Sequence, residues 1–317
     1  MRNKLASPYA PPVIIAASIV LISCLPLTNF QVRMATLLFI FSTVVLGKNL
    51  LMGYAGQISL GHGAFFGLGA YTVAIGAARY GLSPWLLTAM SLPAAGVIAW
   101  IIGRPILKLR GYHLAMATLA FGSIFAMVLT NAVHITGGPD GMALDMAAVR
   151  LFGMTPRWSW YWICGGVLVL AMYLLASLLD SPTGREMRAI HDSEIAAGVL
   201  GIDVAQAKLR AFVISAVFTT LAGCCFVMFD RYITPQSAGI LRSIEFVTMT
   251  VVGGLGSAIG SIIGAAIFVV LPQFLTVFHE YEQAILGLIL VIIMVLLPKG
   301  IAPSLAGWLR SRRASSC

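Results

Sequence analysis

A 317-residue chain with 59 % hydrophobic residues, 10 % charged residues and a mean hydropathy of +0.95 is too apolar for an ordinary soluble domain. The formal net charge of +9 does not imply nucleic acid as a partner, because the Lys and Arg flank apolar runs and form no basic face interleaved with aromatics. Several apolar runs reach the ~20 residues an α-helix needs to cross a bilayer, and no ~10-residue alternation marks a β-barrel, so the expected fold is an all-α, polytopic helical membrane protein set in a lipid bilayer.

Ten membrane segments of uneven quality are predicted in chain order: Pro12–Leu27, Met34–Met52, Ala64–Ala78, Trp85–Gly103, Gly111–Val133, Trp160–Leu179, Ala211–Phe229, Ile244–Gly254, Ile259–Phe278 and Gln283–Leu297. The first follows Arg2 and Lys4 and reads as an uncleaved helix rather than a secretory signal, since further spans follow at once. The eighth is too short to cross as a straight helix. Placing the N-terminus in the cytoplasm puts thirteen Lys and Arg in the inner connections and six in the outer ones. By the positive-inside rule both termini are then cytoplasmic.

Two glycine-dense stretches, Gly53–Ala70 (GYAGQISLGHGAFFGLGA) and Gly253–Ala266 (GGLGSAIGSIIGAA), interrupt the apolar pattern. Glycine costs up to ~1 kcal/mol per residue inside a helix, so eight glycines between Gly47 and Gly76 serve something other than local stability. Spacings such as Gly63–Gly67 and Gly260–Gly264 permit close helix packing. Broken helices carrying polar groups at membrane depth also line transport pathways. Both uses are open here. The pathway reading makes Gln57, Ser59, Gly61, His62, Gly253, Gly254 and Gly256 the candidates. One break in each half hints at an inverted internal repeat.

Intramembrane charge is costly and therefore informative. Lys48 lies within ~4 residues of an inner boundary, where it could snorkel, form a structural ion pair, or act directly in transport. Glu245 opens the short eighth segment and suits a helix N-terminus. The five cysteines, mostly within apolar runs, fit neither a zinc site nor a disulfide framework and read as small buried hydrophobes. His113 reads as interfacial. No nucleophile–base set, HExxH or phosphate-binding glycine loop is found, so the chain is expected to be no enzyme and to bind no cofactor or metal itself. The turn-rich outer connection Asn131–Arg157, with TGGPDGM at Thr136–Met142, would meet any extracytoplasmic partner or serve structure alone.

One hydrophilic stretch remains. Residues 180–210 hold Arg185, Arg188, Lys208 and Arg210 together with Asp180, Glu186, Asp192, Glu194 and Asp203. Within it, Asp192–Gly201 reads as a short helix capped by Asp192 or Ser193 and stopped at Gly201. Such a helix can sit in a groove on another protein or be a solvated loop.

Glu194, Ala196, Ala197 and Gly201 resemble the coupling-loop motif of ABC importer permeases, although Ile195 separates the acid from the alanines. Together with Gly53–Thr72, Leu107–Ile124, Thr136–Met142, Gly184–Arg210 and Ser243–Ala266, the chain from about Gly47 to Pro298 resembles the permeases of high-affinity branched-chain amino acid ABC importers. The resemblance implies one transmembrane permease domain over residues 1–317 in a bacterial inner membrane, with 180–210 as its cytoplasmic coupling loop and Arg188 beside the coupling helix. It further implies a second homologous permease, two cytoplasmic ATPases that bind the ATP, and a periplasmic substrate-binding protein. Relatives carry urea, short amides and other small solutes, so the cargo stays open between these and branched-chain amino acids. An ATP-independent small-solute channel is the other reading.

Overall fold

The computed structural model describes residues 10–23, 26, 28–109, 111–144, 156–275, 287–288, 291–292, 295–297 and 300–304. The chain is helical almost throughout: α1 (Ala10–Ser23), α2 (Asn29–Asn49), a π-helical turn (Leu50–Tyr54), α3 (His62–Tyr80), α4 (Pro84–Ile106), α5 (Tyr112–Asn131) and a single turn α6 (Val133–Thr136). There follow α7 (Pro156–Asp180), α8 (Pro182–Asp192), α9 (Glu194–Val199), α10 (Val204–Asp230), α11 (Ile240–Gly253) and α12 (Ala258–Leu275). Among the described residues six helices are long and apolar enough to cross a membrane. With α1, α3 and α11 they account for nine of the ten expected segments; the tenth, Gln283–Leu297, falls mostly outside the described residues.

The centre is built from α2, α3 and α10, with α4, α7, α11 and α12 packed around them. Buried residues make up 78 % and 72 % of the apolar windows of α2 and α10, against 22–33 % in α4, α5, α7 and α12, whose outer faces carry exposed Val97, Ile101, Ile124, Met127 and Leu170 as lipid-facing helices must. At the middle, Phe41, Phe66, Phe226 and Phe246, one from each of α2, α3, α10 and α11, pack with ring centroids 5.3–6.4 Å apart. Around them α3 and α10 approach through reciprocal glycines: a Cβ on Gly69 would collide with the Thr220 carbonyl, and one on Gly223 with that of Phe66. The expected small-residue packing is real too, for Gly260 and Gly264 take the backbone of α11 against them.

The connections sort onto two ends. At one end the Arg33 guanidinium pairs with Asp230 at 2.8 Å, and Met142–Ala143 pair antiparallel with Tyr232–Ile233. At the other, the start of α1, Tyr54 of the π-helical turn, the last turns of α7, Arg188 of α8 and residues 256–259 surround one cavity. This is the alternation expected from the segment order.

Two expectations change. Glu245 does not open a helix; α11 begins at Ile240, so Glu245 sits in its second turn and pairs with Arg242 at 2.8 Å. The span after the hydrophilic stretch starts at Val204 rather than Ala211, so the last residues of the supposed loop are already part of a 27-residue rod. Cys164, Cys224 and Cys225 are buried and unpaired, as small hydrophobes are; Cys24 and Cys317 lie outside the described residues.

Candidate coupling and translocation site

The hydrophilic stretch folds into α8, α9 and the first turns of α10, each opened by a side-chain cap. Ser181 accepts from the Gly184 amide, Ser193 from Ala196 and Asp203 from Gln206, so each helix start is fixed by its own sequence. Gly201, at φ 82°, ends α9 with the Ile202 amide bonded to the Ala197 carbonyl. Ala197 is buried against Ile190 and Ala207, while Glu194, Ala196 and Gly201 face outward. Ile195, Val199 and Leu200 are each more than three-quarters exposed. A six-residue helix is too short to persist alone. It is held by the small apolar contact under Ala197 and by an ion pair from Glu194 to the nearly buried Lys208 of α10, at 2.5 Å. Arg188 does something different: its guanidinium donates to the Leu179 carbonyl, closing the C-terminus of α7 and fastening α8 beneath it.

The first glycine break begins where α2 loosens into the π-helical turn and ends at His62, with residues 55–61 non-helical between. Lys48 neither snorkels nor finds a carboxylate among the described residues. It is fully buried, and its Nζ donates to the Ser59 carbonyl at 2.8 Å. Ser59 Oγ meets His62 Nδ1 at 3.1 Å, and His62 Nε2 meets Ser215 Oγ of α10 at 2.7 Å. Gln57 is buried, with neither amide atom partnered among the described residues. Gly61 lets this segment press on α5, with a Cβ there only 2.7 Å from the Thr118 carbonyl.

Asn49, not among the candidates read from sequence, joins the two breaks. Its Nδ2 donates to the Ser257 carbonyl at 2.8 Å and Ser261 Oγ at 2.9 Å, and its Oδ1 accepts the Gly256 amide at 2.7 Å. The Tyr54 hydroxyl donates to the Gly256 carbonyl at 2.7 Å. Gly254 and Gly256 take φ of 113° and 74°, conformations open to glycine, and Gly253 has no room for a Cβ against Gly260. The two breaks therefore meet in one neighbourhood, Asn49, Gly53 and Tyr54 against residues 256–261, while candidates 57–62 rest on Lys48, Thr118 and Ser215 instead.

The coupling residues stand apart from the breaks but connect to the first of them by two routes. A Cβ on Gly56 would lie 3.1 Å from His191 Nδ1, so the end of α8 rests on the first break. Lys208 and Ser215 are seven residues apart on α10, two turns or about 10 Å along one face. One helix thus carries both the contact to α9 and the contact to His62. Ser215, the pairing of Lys208 with Glu194, and the exposure of Ile195, Val199 and Leu200 escaped the sequence reading. The last three had a signal, apolar residues on a short helix in a charged stretch, but Ile195 read only as a departure from the motif. Among the described residues no cluster of three or more His, Cys, Asp or Glu could hold a metal ion.

A multi-pass helical bundle with glycine-broken segments at membrane depth and one hydrophilic stretch at one end is an architecture that membrane transport proteins use. Residues 31–294 match the family described as the permease component of branched-chain amino acid transport systems, and the chain belongs to that family. It is 33 % identical over 302 residues to the high-affinity branched-chain amino acid transport system permease protein LivM of Salmonella typhimurium, and 34 % identical over 301 residues to LivM of Escherichia coli strain K12, in each case covering 86 % of this chain and 70 % of the relative. It is 26 % identical over 286 residues to LivH, a permease protein of the same description in Escherichia coli strain K12, over 82 % of this chain and 90 % of the relative. No solved structure matches it at a significant level. The chain is thus a multi-pass transport component, a permease of a multi-subunit transport system rather than an enzyme.

Proposed function

We propose that this chain is the LivM-like half of the membrane permease in an ATP-driven importer moving branched-chain or related hydrophobic amino acids from periplasm to cytoplasm. The relatives' descriptions support the cargo, and the two distinct permease names in one organism support a heteromeric pair with a LivH-like subunit. Two cytoplasmic ATPases dock on α8 and α9 and bind the ATP, and a periplasmic binding protein meets the opposite end, near residues 131–157 and 230–243. The chain lies in a bacterial inner membrane with both termini in the cytoplasm.

One observation carries the mechanism: the Glu194–Lys208 ion pair fixes an exposed apolar helix to the rod that reaches His62. Closure of the ATPases on bound ATP displaces α9. Because Lys208 is nearly buried, α9 cannot shift without moving α10 or leaving that ammonium without its carboxylate. The displacement therefore passes to Ser215 and the first break, and biases the bundle between outward- and inward-open states.

The test is uptake in cells lacking the native permease. Glu194→Lys, which sets two ammonium groups together, reduces uptake at least tenfold, while Glu194→Lys combined with Lys208→Glu recovers a substantial part of it. Normal uptake by the single variant would remove the coupling role.

A further inference from the structure

A second feature lies outside the coupling helix and both breaks. Between the last turns of α4 and the first turns of α10, capped by the start of α8, runs a cavity of about 920 Å³. That is near the upper end of the 300–1,000 Å³ typical of small-ligand sites. Its floor is apolar, formed by Trp100, Leu209 and Ile214, and the exposed Val97 and Ile101 lie three residues before its lining residues Trp100 and Arg104, on the same face of α4. Its rim is cationic: Arg104, Lys108 and Arg210 line it and no carboxylate does. Arg104 stacks its guanidinium 3.8 Å over the Trp100 ring, which preorganises it. Lys108 has no ion pair among the described residues, and Arg210 is held loosely, by the half-buried Glu186 at 3.6 Å and by Gln206 Oε1 at 3.4 Å. These cations lie at the end of the molecule that carries α8 and α9, the level at which an inner-leaflet headgroup sits.

We propose that this groove binds one anionic phospholipid, with its acyl chains against α4 and α10 and its phosphate on Arg104 and Lys108. Apolar depth open to the bilayer suits acyl chains, and a one-sided cationic rim suits a phosphodiester. A soluble anion would use the rim and have no need of the floor. A docked protein would have to displace lipid from a surface continuous with the membrane-facing side of α4.

The experiment measures binding to the purified full chain in a neutral detergent by native mass spectrometry, with dioleoyl phosphatidylglycerol, dioleoyl phosphatidylcholine and inorganic phosphate as probes. Phosphatidylglycerol is expected to bind in preference to phosphatidylcholine. The double variant Arg104→Gln with Lys108→Gln weakens it roughly thirtyfold, a factor of about five for each cation, and leaves phosphatidylcholine unchanged. If that variant fails to fold, Ile214→Trp, which fills the floor and keeps the rim, is expected to reduce phosphatidylglycerol binding on its own. Equal binding of the two lipids, a double variant that folds and retains the preference, an Ile214→Trp protein that binds phosphatidylglycerol normally, or displacement by millimolar inorganic phosphate would each overturn the proposal.

Discussion

Asn49 is a residue that ties the end of α2 to the second glycine break. Its amide satisfies three groups of the second break, in the order an asparagine can manage and few other side chains can: two donations from one nitrogen and one acceptance at the oxygen. Asn49→Leu keeps the volume and removes all three bonds, leaving the half-buried Ser257 and the exposed Gly256 to find other partners. Each lost bond is worth about 0.5–1.5 kcal/mol net, so a loss of about 1.5–4 kcal/mol is expected for the three. It would be read as a lower melting temperature in detergent together with reduced uptake. A variant as stable as the parent would show that the bonds contribute nothing. Such a residue was hard to see in the sequence, because its partners lie more than 200 positions away and a lone Asn at the end of a span reads as interfacial. Lys48 is the complementary case. Its charge stood out from the sequence, but its complete burial did not, since a lysine near a boundary is ordinarily free to reach water.

At the scale of elements, the short helix α9 was the most legible part of the chain. A capping serine, two alanines and a stopping glycine fix where it begins and ends without help from distant residues. Its outward face was less legible, because exposure is decided by how α8 and α10 pack around Ala197. That face now yields a prediction. Val199 is 83 % exposed, so Val199→Asp leaves the permease fold intact and places a charge in the apolar contact proposed for the ATPase. Loss of a central apolar contact weakens interfaces by 2 kcal/mol or more, about thirtyfold. Copurification of the ATPase with the variant is therefore expected to fall, with an unchanged melting temperature for the permease alone. Undiminished copurification would move the docking surface elsewhere. The breaks behaved differently from α9. Glycine density located both, and only the folded chain shows that they touch, because glycine marks where backbones come close and says nothing about which backbones they are.

The whole molecule is organised by which end each connection occupies. The chain alternates between ends in the order the apolar segments dictate, and long-range contacts agree: Arg33 with Asp230 and residues 142–143 with 232–233 at one end, Tyr54 with Gly256 and Gly56 against His191 at the other. Geometry relates the ends to each other, while the assignment of one to the cytoplasm rests on the thirteen-to-six distribution of Lys and Arg. These two arguments are independent, and cysteine labelling joins them. With Cys24 and Cys317 replaced by serine, the remaining cysteines are buried, and a single cysteine at Val199 or at Tyr80, both well exposed, reports one end each. A membrane-impermeant maleimide added to intact spheroplasts is expected to label the Tyr80→Cys chain and to spare Val199→Cys until the membrane is opened. The reverse pattern would put the lever outside, where no ATPase could reach it. Labelling of both from one side would break the alternation itself. In the proposed importer that pattern also ties force to direction: α9 would have to face the compartment that holds ATP, and the paired loops at 142–143 and 232–233 the one from which the cargo arrives.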